Sequence, residues 1–218
     1  MDTRAAEEIA DRLADLKGQD LIVLALSAAA VPLGAPIADR LDGSLDLLLA
    51  RNITAPDRPD RIVATVVDAD TPRTIIHRAA ASLDLPASWI AGAAAREFQE
   101  IERQRLLYLR NRPLLPVSGR IAVMVDTSLS DPYGARAVLG ILRDNGATRV
   151  IAAAPLAVRS TVEILKPDAD AVVALEIVAR WDDVPHAAAA LAPDASHVAD
   201  LLARARTGEP RTDTPNRF

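Results

Sequence analysis

Asp126, Thr127, Ser128, Ser130 and Asp131 place five oxygen-bearing side chains within six residues, directly after the apolar run Ile121–Val125 and directly before Pro132, Tyr133 and Gly134. A carboxylate at the carboxyl end of such a strand lies where α/β proteins bind ligands. Serine hydroxyls and the first backbone N–H groups of a helix suit a phosphate. An apolar strand, a short polar loop and a helix start together form the unit with which α/β proteins hold phosphates and sugar-phosphates. Asp131 conflicts with that use. A carboxylate about 4 Å from one phosphate charge repels it by about 4 kcal/mol at an effective dielectric near 20, and by less once solvent and salt screen the pair. Pro132 removes one N–H from the cradle.

Asp131–Pro132 is also a favourable helix start, with Asp at the N-cap and Pro at the first helical position. Two readings therefore stand. Either the helix supplies its own anion and the site is lost or repurposed, or a phosphate-type site survives on Asp126, Ser128, Ser130 and backbone groups. Asp126 can face a ligand or simply cap the loop, and Ser128 and Ser130 can bind a ligand or satisfy loop backbone. The histidines, His77, His186 and His197, lie far apart and form no metal spacing, so they read as core or surface residues and no metal site is expected. No nucleophile elbow, P-loop or glycine-rich dinucleotide motif is present. Trp181 could stack on a ligand or fill a core, and Asp168 and Asp170 read as turn residues.

The elements that position these residues follow from periodicity. Apolar residues at helical spacing predict a helix over 3–17, and Leu21–Leu26 is a strand covered on both faces. A helix is expected over 35–41, ended by Gly43, then a strand over 44–51 and a turn-rich loop over 53–60. Two short strands, 61–67 and 74–77, come next, joined in hairpin fashion. A long helix spans roughly 87–110. Strands at 120–125, 149–154 and 171–175 alternate with helices at 133–144 and 159–165, and a last helix covers about 195–206. Alternating β and α units with apolar strands predict an α/β fold: a Rossmann-like, doubly wound parallel sheet of about five strands. A small hood is expected over roughly 52–95 and a disordered tail over 207–218, outside a domain of residues 1–206.

Composition narrows the function. The chain has 218 residues, 50% of them hydrophobic, with a net charge of −5 and no cysteine. One core is readily buried. The absence of a basic stripe argues against nucleic acid as the main partner. Without cysteine there are no disulfides, zinc–thiolate sites or cysteine nucleophiles. The charged N-terminal helix is not a secretion signal, and the uncharged stretch 21–38 is broken by Pro32, Gly34 and Pro36, so neither export nor a membrane span is expected, and the cytoplasm is the expected location.

Four segments resemble the type I phosphoribosyltransferase family, and more narrowly a bacterial branch of it. In LALSAAAVPLG (24–34), Ser27, Ala28, Ala29 and Ala30 stand where the family has the P, R, G and G of its pyrophosphate loop, while Val31 and Pro32 match. In LDLLLARNITAP (45–56), Arg51, Ile53 and Pro56 match, but the family lysine is Asn52 and its glycine is Thr54. EFQEIERQRLLYLR (97–110) is similar to the family's acid- and arginine-rich helix with its tyrosine, here Tyr108. In the diagnostic loop V-D-D-G-x-A-T-G-A-T, Asp126 keeps the first acid, Thr127 replaces the second, and Asp131 and Pro132 replace the phosphate-binding threonine and glycine.

The resemblance implies a phosphoribosyltransferase fold with a hood and a glycosyl-transfer site in nucleotide metabolism. It further implies phosphoribosyl pyrophosphate with magnesium as the ligand of an active member, and a homodimer. With the arginine, lysine and glycines missing, it implies a degenerate member that binds a nucleotide or sugar-phosphate weakly or acts as a regulatory partner. An active enzyme with an atypical site and a pure interaction module are the alternatives.

Overall fold

The computed structural model describes residues 3–69, 71–110, 112–180 and 194–207. Helix α1 (Thr3–Arg12) and a short 3₁₀ turn lead into β1 (Leu21–Ala25). Helix α2 (Val31–Leu41) and β2 (Ser44–Leu47) follow, then β3 (Ala50–Ala55), β4 (Arg58–Val67) and β5 (Arg73–Ile76). The remainder is α3 (Ala87–Gln104), β6 (Ile121–Val125), α4 (Pro132–Asp144), β7 (Arg149–Val158), α5 (Arg159–Leu165), β8 (Ala171–Val178) and α6 (Ala195–Thr207).

Five strands form one parallel sheet in the order β2-β1-β6-β7-β8. Every residue of β1 and β6 is buried, which is why these strands read as unbroken apolar runs. Their side chains still alternate between two cores. Leu21, Val23, Ile121 and Val123 face the layer that holds Ile9 of α1, Ile37 of α2 and Leu202 of α6. Ile22, Leu24, Ala122 and Met124 face Leu139 of α4 and Val162 of α5. The protein is thus an α/β sandwich around a five-stranded parallel sheet. Strand order reverses between β1 and β6, so their carboxyl ends open the crevice in which such sheets bind ligands.

Several local expectations are corrected. The segment 44–51 is not one strand. Pairing with β1 ends at Leu47, and Ala50 begins a second, antiparallel sheet in the order β3-β4-β5. Buried Leu48 and Leu49 span the step between the two sheets. The expected loop 53–60 is mostly strand, because β3 and β4 turn about Pro56 and Asp57. Helix α2 starts at Val31 rather than Ala35, since Pro32 sits in its first turn, where a missing N–H costs little.

Asp42, not Gly43, takes the left-handed conformation that ends α2, with φ 58°. Gly43 is required for space: a Cβ there would lie 2.2 Å from Leu21 Cδ1. At Gly34 a Cβ would come within 2.9 Å of Leu45 Cδ1, so glycine lets α2 lie close on the sheet and sets the β1–α2 junction. Trp181, His186 and the tail beyond Thr207 lie outside the described residues. No helix among the described residues is long and apolar enough to cross a membrane.

Candidate functional site

A cavity of about 180 Å³ opens at the carboxyl ends of β1 and β6, lined by residues that include Ser27, Asn52, Asp126, Ser128, Ser130, Asp131 and Gly134. The β6–α4 loop that builds most of it is tightly held. Asp126 N donates to Ala153 O, Leu129 N to Leu156 O, and Val158 N to Leu129 O. Leu129 is buried in the α4–α5 core, and Thr161 Oγ1 donates to Ser130 O at 3.1 Å. The extended β7 therefore fixes the loop from one side along its length.

Asp131 is the N-cap of α4. Its carboxylate accepts from Tyr133 N at 2.9 Å and from Gly134 N at 3.3 Å. Pro132 has no N–H, so the first three helical positions offer two amide donors and Asp131 takes both. A third donor, Asn52 Nδ2 from β3, reaches Asp131 Oδ2. A side-chain anion with three donors thus stands where a helix N-terminus would hold a bound one.

Asn52 is the start of a chain of polar contacts into the antiparallel sheet. Thr65 Oγ1, fully buried on β4, donates to Asn52 Oδ1 at 2.7 Å and lies 2.8 Å from His77 Nε2. Because the single Thr65 proton goes to Asn52, His77 Nε2 carries the hydrogen in that contact. The His77 ring packs against Tyr133, with centroids 4.8 Å apart. Burial pushes the His77 pKa below its ordinary value, the Asp131 charge opposes this, and Arg136 reinforces it. His77 is thus tied to the Asp131 cap through Thr65 and Asn52, while lying outside the cavity lining.

Asp126 stands at the switch point. Its Oδ1 accepts from Thr127 N at 2.7 Å and from Ser27 Oγ at 3.5 Å. Burial pushes its carboxyl above the usual carboxylate range. The Thr127 and Ser27 donors pull it back, and the charge of Asp131 adds a smaller upward push. Ser128 and Ser130 hydroxyls lie 3.4 Å apart at the rim.

On the β1 side only Ser27 lines the cavity among the loop residues 27–30. Ala28–Ala30 wind into a 3₁₀ turn running straight into α2, whose N-cap, Ala30, makes no side-chain cap bond. Arg51 turns away from the cavity to Glu97 of α3. Tyr133 is outside the lining, on the outer face of the α4 start beside His77. Thr127 contributes its N–H to Asp126 rather than its side chain to the lining.

The structure thus gathers Ser27, Asp126, Ser128, Ser130, Asp131 and Gly134 around the cavity, leaves Ala28, Ala29, Ala30, Arg51, Thr127 and Tyr133 outside its lining, and adds Asn52, backed by Thr65 and His77. The signal for Asn52 was the pairing of two departures, Asn for a family lysine and Asp131 for a family threonine. Thr65 and His77 gave none, since their contact depends on strand register. Among the described residues, no group of three or more His, Asp or Glu could hold a metal ion, and the cavity lining contains no Lys, Arg or His.

No family model matches the chain. In curated proteins it is 29% identical, over 171 residues, to proteins of two Mycobacterium tuberculosis strains, H37Rv and CDC 1551, that carry the provisional name phosphoribosyl transferase. The match takes in 78% of this chain and 38% of each relative, so the chain spans about two fifths of their length. Among solved structures it is similar to the protein TT1426 from Thermus thermophilus, with 26% identity, a TM-score of 0.73 and coverage of 91% of this chain and 94% of that one. A purine phosphoribosyltransferase from Pyrococcus horikoshii is a more distant neighbour at 13% identity and a TM-score of 0.45, over 84% of this chain and 89% of that one.

Proposed function

We propose that this chain is a member of the phosphoribosyltransferase family, whose provisionally named relatives it resembles at 29% identity, without ordinary phosphoribosyl-pyrophosphate-dependent transfer, and that its crevice carries a built-in anion in place of the bound phosphate. One observation carries the reading: the Asp131 carboxylate consumes the Tyr133 and Gly134 amides and the Asn52 amide together. A 5′-phosphate brought to the same helix start would find those donors occupied and a negative charge in its place. At about 4 Å and an effective dielectric near 20, each charge pair opposes binding by about 4 kcal/mol; half of that still costs more than tenfold in affinity.

The residues present do not fit phosphoribosyl pyrophosphate with its magnesium. The loop after β1 offers alanines where an arginine would pair with pyrophosphate oxygens and glycines would let backbone approach them. Arg51 is committed to Glu97, and Asn52 stands in place of a lysine. Binding or regulatory action in the cytoplasm is the role this reading assigns. The test is calorimetry of the full chain with phosphoribosyl pyrophosphate and magnesium, alongside a turnover assay across nucleobases. The expected result is no binding below millimolar concentration and no nucleotide product. Micromolar binding with turnover would overturn the reading in favour of an active enzyme with an atypical site.

A further inference from the structure

The polar contacts of Asn52 form a chain with a single direction. His77 Nε2–H donates to Thr65 Oγ1 at 2.8 Å, Thr65 Oγ1 donates to Asn52 Oδ1 at 2.7 Å, and Asn52 Nδ2 donates to Asp131 Oδ2. The chain closes on itself, because Tyr133, whose N–H donates to Asp131, packs its ring against His77. Hydrogen bonds that all point toward one carboxylate polarise and strengthen one another. Together they join β3, β4 and the end of β5 to the start of α4.

The antiparallel sheet is anchored elsewhere too, but at its other side and its other end. Arg51 of β3 is tied to Glu97 of α3. Val67 and Ile75 pack into the core beneath α4, and Arg73 of β5 reaches Asp144 at the far end of that helix at 2.8 Å. The Arg73–Asp144 pair is exposed, and such pairs hold little. The Asn52 contact is part-buried and stands at the mouth of the crevice, whose wall Asn52 helps to form. Opening it removes that wall and one of the three donors to Asp131.

We infer that these contacts form a proton-operated latch: protonation of His77 releases Asn52 from Asp131, and the β3–β4 hairpin swings away from α4 about the paired residues Ala50, Val67 and Arg73, opening the crevice. His77 does not line the cavity and acts through Thr65 and Asn52, so it is a positioning residue. The latch concerns access to the crevice, not what the crevice binds, and goes beyond the reading of Asp131 as a built-in anion.

The neutral ring suits its place, wedged between Thr65 and Tyr133 with its hydrogen on Nε2. Among the described residues its one side-chain hydrogen bond is made by that nitrogen, so a proton added at Nδ1 gains no protein acceptor. The charged groups that face the ring, Asp131 and Arg136, both lie on α4, and they act in opposite senses. From β4 it meets the neutral Thr65, and on its own segment the adjacent cation, Arg78, is exposed. Burial opposes the charged ring more than Asp131 favours it, so the proton is taken up more readily when the ring swings into water. Uptake therefore favours the open hairpin.

The chain has no cysteine, so a pair of spin labels can be placed on the full protein without interference. Asp57→Cys marks the exposed β3–β4 turn, and Gly140→Cys marks the outer face of α4, where a Cβ meets nothing within 4 Å. Pulsed electron-spin distance measurement should give one narrow distance at about pH 7.5 and a longer, broader population at about pH 5, with circular dichroism unchanged. The midpoint should lie below the ordinary histidine value of 6.5. His77→Gln, whose amide donates to Thr65 without titrating, should keep the narrow distance at both pH values. Asn52→Ala should show the long population already at about pH 7.5, and Thr65→Val, which keeps the buried volume, should do the same by cutting the chain in its middle. Three outcomes overturn the inference: a distance in folded wild type that ignores pH, a pH response that survives in His77→Gln, or a narrow distance at about pH 7.5 in both Asn52→Ala and Thr65→Val.

Discussion

Two strand-to-helix junctions meet at the switch point of the sheet, and they are finished in opposite ways. After β1, residues 28–30 are alanines wound into a 3₁₀ turn, and α2 begins with no side chain on its first amides. After β6, the loop is polar, and α4 begins with Asp131 bonded to two amides and to Asn52 of the neighbouring sheet. The first junction has no cation to attract an anion; the second has an anion of its own. In the reading proposed above, the crevice is closed to phosphate by subtraction on one side and by substitution on the other. Only the substituted side engages the antiparallel sheet, through Asn52, Thr65 and His77.

The contrast can be broken or sharpened by mutation. The largest effect is expected at Leu129, the buried anchor of the β6–α4 loop. Leu129→Ala should cost about 2–5 kcal/mol by chemical denaturation, because it leaves a cavity between the loop and α4. A loss under about 0.5 kcal/mol would mean the loop is not held by that anchor. Asp131→Ala should cost about 1–2 kcal/mol, the usual worth of an N-cap. On the other side, Ala28→Arg puts a cation into the turn before α2, where Ala28 packs against the core, so circular dichroism should first show the variant folded. It should also create no affinity for ribose 5-phosphate by calorimetry, since Asp131 still blocks the opposite wall. Phosphate binding gained from that arginine alone would show that subtraction, not substitution, closes the crevice.

The smallest effects are those of pH. The folded state lowers the His77 pKa from 6.5, so its contribution to stability is present above pH 6.5 and is lost as pH falls through the folded value. Melting temperature should therefore fall on acidification below about that pH, and His77→Gln should flatten this slope. Asp126 has the opposite sign: its folded pKa is raised, so ionisation near neutral pH opposes folding. Asp126→Asn should raise the melting temperature slightly at pH 7 and lose that advantage in acid.

Legibility in the sequence followed the physics of each element. Strands β1 and β6 are buried on both faces and were legible as the apolar runs 21–26 and 120–125, each one residue longer than the strand itself, and Asp131–Pro132 announced the cap of α4 through residue type alone. The step at Leu48–Leu49 left no mark, because an apolar residue is equally at home at the end of one sheet and at the start of another. The same ambiguity hid the early start of α2, whose alanines and prolines suit a turn as well as a first helical turn. His77 and Thr65 were silent for a different reason. Their place depends on antiparallel register, Thr65 opposite Asn52 and His77 beyond the end of β5, and register is set by tertiary packing rather than by local sequence.

The most direct measurement is the affinity of ribose 5-phosphate for the wild-type chain against Asp131→Thr combined with Pro132→Gly. Removing the carboxylate frees the Tyr133 and Gly134 amides, and glycine restores the N–H that proline lacks. Calorimetry should find no binding to the wild type below millimolar concentration and a gain of more than about tenfold in the double variant. Equal affinity in the two, with the variant folded, would contradict the account.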